Sequence, residues 1–171
     1  MTREETFMVS KAVEIAARGH GQQQDWAKQA YILHPLRVGM SFNDPKLIAV
    51  GVLHDVLEDT EVSEEYLRGI FPKDIVDAVV ALTRLKDELD YFSYVKKLCK
   101  NDLARQVKRA DLNDNSDPNR KRGGDKWLNE EGWPQLQERY AKALKIIDEY
   151  EAATATNTTT DFTCEFCGEE A

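Results

Sequence analysis

Only three cysteines and three histidines occur in the 171 residues, and no apolar run reaches membrane-spanning length. An odd, sparse cysteine count excludes a disulfide framework. With no signal-peptide pattern either, a reducing, cytoplasmic setting is expected. Positive charge is also short: 23 Lys and Arg face 31 Asp and Glu, a net charge of -8. General affinity for DNA or for an anionic membrane rests on cations neutralising phosphates, so neither partner is expected. Strand-type alternation is missing throughout, which leaves an all-α fold.

Helical spacing is plentiful. Residues 4–18 carry Val9, Ala12, Val13, Ala16 and Ala17 on one side, and a polar loop over 22–30 follows Gly19-His20-Gly21. A helix restarts at Tyr31, with Pro35 in its first turn. Asp44 is the expected N-cap of the next helix, with Pro45 at its first position. Its continuation Leu47-Ile48-Ala49-Val50-Gly51-Val52-Leu53 has no polar break and should be buried on all sides. Further helices are predicted from Ser63, from Pro72 to Leu82, near 90–100, over 102–114 and over 133–151. About eight helices in one domain, residues 1–151, is the expected architecture. Residues 152–171 read as a flexible tail: a Thr/Ala-rich linker, then Cys164 and Cys167 in a CxxC that supplies half of a tetrahedral zinc site.

The buried helix carries the chemistry. His54 and Asp55, then Glu58 and Asp59, interrupt an apolar stretch, and ionisable groups in such surroundings need an opposing charge. A divalent cation supplies it. If the helix continues, Glu58 and Asp59 lie one turn beyond His54 and Asp55 on the same face. With few histidines to choose from, His34 beside Pro35 and the carboxylate Asp111 are the remaining candidates for ligands. Two imidazoles and two carboxylates form a mixed N/O set suited to Mn²⁺, Fe²⁺ or Zn²⁺. His20, at a helix end, reads as a structural residue or a neighbour of the ligands rather than a ligand. Residues 96–126 hold ten Lys or Arg against five Asp, either a solvated basic face or a pocket for a small anionic ligand.

The order His34, His54-Asp55, Asp111 resembles the HD-domain metal phosphohydrolases, an all-helical family. His20 with Gln23, Tyr31-Ile32-Leu33-His34-Pro35, Leu53-His54-Asp55-Val56-Leu57-Glu58-Asp59-Thr60, Leu82-Thr83-Arg84 and Lys108-Arg109-Ala110-Asp111 extend the likeness. Together they are similar to the hydrolase domain of RelA/SpoT homologues, including the stand-alone small alarmone hydrolases, over about residues 7–148. The resemblance implies an HD helical bundle that removes the 3′-pyrophosphate of (p)ppGpp with Mn²⁺, giving GDP or GTP and pyrophosphate. It implies His34, His54, Asp55 and Asp111 as metal ligands, and Glu58 and Asp59 as the pair that positions or deprotonates water. Asn115 would contact substrate, and Lys108, Arg84 and Arg105 would neutralise phosphate oxygens. With no room for a synthetase domain, degradation alone is expected.

Departures fall where the nucleotide is held. The family's basic residues and Ser-Gly-Glu-Pro-like turn are replaced by Gln24-Asp25-Trp26-Ala27-Lys28-Gln29-Ala30, and its His-Asn by Asp114-Asn115. Trp26 reads as a buried structural side chain before it reads as a base-stacking one. The alternatives are therefore another nucleotide, NADPH or a 3′-pyrophosphorylated RNA end as substrate, or a catalytically idle nucleotide- or partner-binding module. The sequence leaves the oligomeric state open.

Overall fold

The computed structural model describes residues 1–84, 90–118 and 132–158. Among them the chain forms helices α1 (Arg3–Gly19), α2 (Leu33–Met40), α3 (Pro45–Leu53), α4 (Val56–Asp59) and α5 (Glu64–Arg68). They are followed by α6 (Lys73–Leu82), α7 (Tyr91–Leu98), α8 (Asp102–Ser116) and α9 (Trp133–Thr158). No strand occurs among the described residues; an isolated bridge joins Gln24 to Ala30.

Local chemistry sets the starts. Thr2 and Glu5 form a reciprocal capping box on α1. Asp44 accepts from the N–H groups of Lys46 and Leu47 ahead of Pro45, as expected. Ser63, Asp90 and Asn101 cap α5, α7 and α8 in the same way.

Packing then places the site. Helix α3 is the central rod, with Leu47, Ala49, Val50, Gly51, Val52 and Leu53 all buried, and α1, α2, α6 and α8 surround it. Helices α2 and α3 cross at glycines: a Cβ on Gly51 would lie 2.8 Å from the Gly39 Cα, and one on Gly39 would lie 2.6 Å from Val52 Cγ2. Only two hydrogens allow that approach. A second apolar cluster joins Tyr94, Val95 and Leu98 of α7 to Tyr140, Ala143 and Ile147 of α9. Helix α8 belongs to both, placing Ala104 and Val107 in the first cluster and Leu112 in the second.

The structure departs from the sequence-based expectation in three places. Helix α3 does not run on to Glu58; it ends at Leu53, and α4 begins only at Val56. The His54 imidazole takes the Gly51 carbonyl through Nδ1 at 2.8 Å, competing with the main-chain donor that continuation would require. Helix α9 passes the expected boundary at 151/152 and continues through Thr158. Alanines favour helix there, and Thr154 and Thr156 return their hydroxyls to carbonyls three and four residues back. The rest of the tail, with Cys164 and Cys167, lies outside the described residues, as does the Gly123-Gly124 loop. Trp26 is 57% exposed rather than buried.

Candidate metal centre and active site

The glycine crossing brings the His34 and His54 rings to 5.1 Å between centroids. Helix α8 brings Asp111 across from the far side, so a nitrogen of each histidine and an Asp111 oxygen all lie within 4.8 Å of one another. His34 Nε2 is 3.2 Å from Asp111 Oδ1, and His54 Nε2 is 2.9 Å from Asp55 Oδ2. Asp55 Oδ2 also lies 3.7 Å from His34 Nε2. Thus the four residues expected as ligands converge on one point, with His34, His54 and Asp111 buried.

Each is held from behind. His34 Nδ1 is 2.7 Å from Asp114 Oδ2, and Arg37 clamps Asp114 through two nitrogens at 2.6 and 3.0 Å. Asp55 accepts from the Tyr31 hydroxyl at 2.6 Å. Asp111 accepts from Lys108 at 2.9 Å and from Asn115 at 2.5 Å. With the Gly51 carbonyl on His54 Nδ1, the Asp114 contact on His34 aims both Nε2 atoms inward, the usual arrangement behind metal-binding imidazoles.

Electrostatics asks for positive charge at the centre. Burial disfavours an imidazolium at His54, but Asp55, then Asp111, outweigh it and raise the pKa to about 9. Burial likewise opposes the Asp55 carboxylate, and the facing histidines still hold it down at about 2. Asp111 is held well below its ordinary range, chiefly by Lys108 against the opposing effect of burial. His54 Nε2 is buried with no hydrogen-bond partner although a carboxylate oxygen faces it. An orphaned nitrogen among buried carboxylates fits a divalent cation of borderline hardness.

A cavity of about 190 Å³ opens on this point, lined also by Glu58, Tyr91, Lys108, Asn115, Arg139 and Tyr140. Glu58 is anchored by the Arg84 N–H at 3.0 Å, and burial raises its pKa. Burial, then the nearby Asp55 carboxylate, also raises Asp59, whose main-chain carbonyl accepts from Gln23 Nε2 at 2.6 Å.

The expected cationic residues separate. Lys108 lines the cavity, whereas Arg84 donates its main-chain N–H to Glu58 and lays its guanidinium over Tyr91. Arg105 does not join it: its guanidinium binds Asp102, the Cys99 carbonyl and Glu151. Arg109 pairs with Asp148 and Glu151. The basic stretch is therefore not one pocket among the described residues; positions 120–126 lie outside them. His20 stays outside the cluster, with Nδ1 2.7 Å from Gln23 Oε1 and its ring against Tyr31. Sequence reasoning missed the supporting role of Asp114 with Arg37, although Asp114 stands three residues after Asp111. It also missed Arg139, for which no sequence signal exists.

The helical bundle thus brings two histidines and two aspartates together at one point. No protein-family model matches the chain. Among curated proteins it is 34% identical over 85 residues to the probable guanosine-3′,5′-bis(diphosphate) 3′-pyrophosphohydrolase of Mycoplasma pneumoniae, 47% of this chain and 12% of that protein. To the guanosine-3′,5′-bis(diphosphate) 3′-pyrophosphohydrolase of Borreliella burgdorferi it is 35% identical over 83 residues, 46% of this chain and 12% of that protein. The matched region thus spans about one eighth of these relatives' lengths. A solved structure described as a metazoan ortholog of SpoT that hydrolyzes ppGpp superposes with a TM-score of 0.64 at 22% identity, covering 84% of both chains. In sequence the chain resembles the hydrolase domain of RelA/SpoT homologues, and it shares the fold of that ortholog.

Proposed function

We propose that the chain is a metal-dependent phosphohydrolase that releases pyrophosphate from the 3′ position of (p)ppGpp-type nucleotides, leaving GDP or GTP. The observation that carries this reading is Glu58, a carboxylate that lines the same cavity as His34, His54 and Asp111. A module that only binds has no use for a second, separately anchored carboxylate beside such a cluster.

His34, His54, Asp55 and Asp111 would hold the cation, with Mn²⁺ favoured and Fe²⁺ or Zn²⁺ compatible with the same donors. When bound, it polarises a phosphoryl oxygen and acidifies water. Glu58, its carboxylate made more basic by burial, takes the proton from the attacking water. Asp59, next in sequence and near enough to Asp55 for their charges to interact, would help orient that water. Water oxygen joins phosphorus, the bond to the ribose 3′-oxygen breaks, and that oxygen leaves with a proton. Lys108 and Asn115 hold Asp111 and line the cavity that phosphate oxygens would enter. Arg139 adds a cation at the rim.

The test is a substrate panel. Purified protein with Mn²⁺ is offered ppGpp, pppGpp, ppApp, NADPH and dNTPs, and products are separated by ion exchange. Pyrophosphate released from ppGpp and lost in His54→Ala is the expected result. Metal binding without turnover of any member sinks the proposal.

A further inference from the structure

Neighbouring residues of α4 face different spaces: Glu58 lines the metal cavity, while Leu57 lines a separate one of about 820 Å³. Three segments wall the latter: α4 with the start of α5, then α6, then the end of α7. Its apolar surface comes from Leu57, Val62, Val80, Ala81, Tyr94 and Leu98. The volume falls within the range of about 300–1,000 Å³ that small-molecule sites occupy.

Its charged groups differ in what they are left to do. Glu64 and Asp77 are both held by the Arg68 guanidinium, at 2.7 and 3.0 Å, and Lys73 also pairs with Asp77. That acidic charge is met from within the protein. Lys100 instead stands exposed and forms no ion pair among the described residues. Next to it, Asn101 caps α8 with its side-chain oxygen on the Ala104 N–H, which leaves its amide nitrogen as a donor. An apolar hollow with a cation and a neutral donor at one end fits a small organic anion: an aliphatic or aromatic body with one acidic head.

The walls of this cavity also support the metal cavity. Thr83 directly precedes Arg84, whose N–H anchors Glu58 at 3.0 Å, and Leu57 directly precedes Glu58 itself. The Tyr94 hydroxyl donates to the Leu82 carbonyl, and the centre of its ring lies 5.6 Å from Lys108 Nζ, the cation that holds Asp111. We propose that the cavity between α4, α6 and α7 is an effector site for a small amphipathic anion, whose body packs on Leu57 and Thr83 and so steadies the hydrogen bond from Arg84 to Glu58. Binding there does not depend on the nucleotide-hydrolase reading; its effect on turnover rests on that reading.

The probe is 8-anilinonaphthalene-1-sulfonate, an aromatic body with one anionic head, and its control is N-phenyl-1-naphthylamine, the same body without the charge. Both are titrated by fluorescence against the full chain. One sulfonate probe per chain is expected, bound about fivefold more tightly than the neutral one, the upper end for an exposed charge pair. Lys100→Glu should abolish that preference, and Ala81→Trp, which fills the hollow, should abolish binding of both. Equal affinity for the two probes in wild type, or titrations that neither substitution alters, overturns the site. A dimeric wild type that Ala81→Trp turns monomeric overturns it too, because the hollow would then be an interface between copies. Coupling is read without catalysis: amide exchange at Arg84, followed by NMR, should slow about tenfold under saturating sulfonate probe. In ppGpp hydrolysis kcat should rise with probe occupancy. Unchanged Arg84 exchange, or a kcat indifferent to saturating probe, defeats the effector role. Probe binding and Arg84 protection without turnover of any substrate would uphold the site and sink the hydrolase reading alone.

Discussion

Asp114 shows how a single carboxylate serves a site it does not enter. It receives His34 Nδ1 on one side and the Arg37 guanidinium on the other, so the imidazole is held with Nε2 toward Asp111. Asp114→Asn keeps an acceptor for His34 but removes the charge. Mn²⁺ affinity is expected to fall about 10- to 100-fold, as for other supports of metal-binding histidines. Calorimetric titration of the variant reads this directly, and unchanged affinity would deny Asp114 that role. Glu58 acts on a different quantity. Glu58→Gln preserves an acceptor for the Arg84 N–H yet removes the base, so Mn²⁺ binding should stay while kcat drops about 10²- to 10⁴-fold. Equal loss of metal and activity would place Glu58 among the ligands instead.

Among elements, the crossing of α2 and α3 decides whether a site exists. His34 stands five residues before Gly39 and His54 three after Gly51, so the glycine contact sets the separation of the two rings. In Gly51→Ala the new methyl meets the Gly39 backbone at 2.8 Å, where no flexible side chain can yield. A cost of about 1–3 kcal/mol is expected, together with weaker Mn²⁺ binding as the rings are forced apart. Urea unfolding and metal titration on the same sample check both; a variant as stable as wild type would show that the helices separate freely. The break between α3 and α4 belongs to this scale too. It lets Asp55 turn its carboxylate toward both histidines, which the uninterrupted helix expected from the sequence would not have required.

The whole molecule couples this centre to folding. Two apolar clusters meet along α8, and the histidines and aspartates sit where that helix faces α2 and α3. A histidine whose folded pKa is raised from 6.5 to about 9 contributes stability that is complete below 6.5 and is lost as pH rises through about 9. In EDTA, therefore, Tm should fall between pH 6.5 and 9. A bound divalent cation replaces the proton and stabilises only the folded state, so saturating Mn²⁺ should raise Tm and flatten that decline. Thermal scans across this range decide it; a metal-free Tm that rises with pH would reverse the assigned sign.

The sequence by itself determined the helical class, the α3 rod with its Asp44-Pro45 start, and the identities of the four converging residues. The first two follow from apolar period and capping chemistry; the four residues come from the scarcity of histidine taken together with the resemblance to the HD-domain family. Tertiary structure alone decided which candidates share a space. Lys108 and Arg105 stand three apart on one helix, yet packing turns one into the cavity and binds the other to Glu151. Arg139 arrives from α9 with no sequence signal, and Trp26 is exposed where its size argued for burial. The reason is physical: side-chain type and spacing restrict what a residue can do, but its neighbours from distant helices settle what it faces.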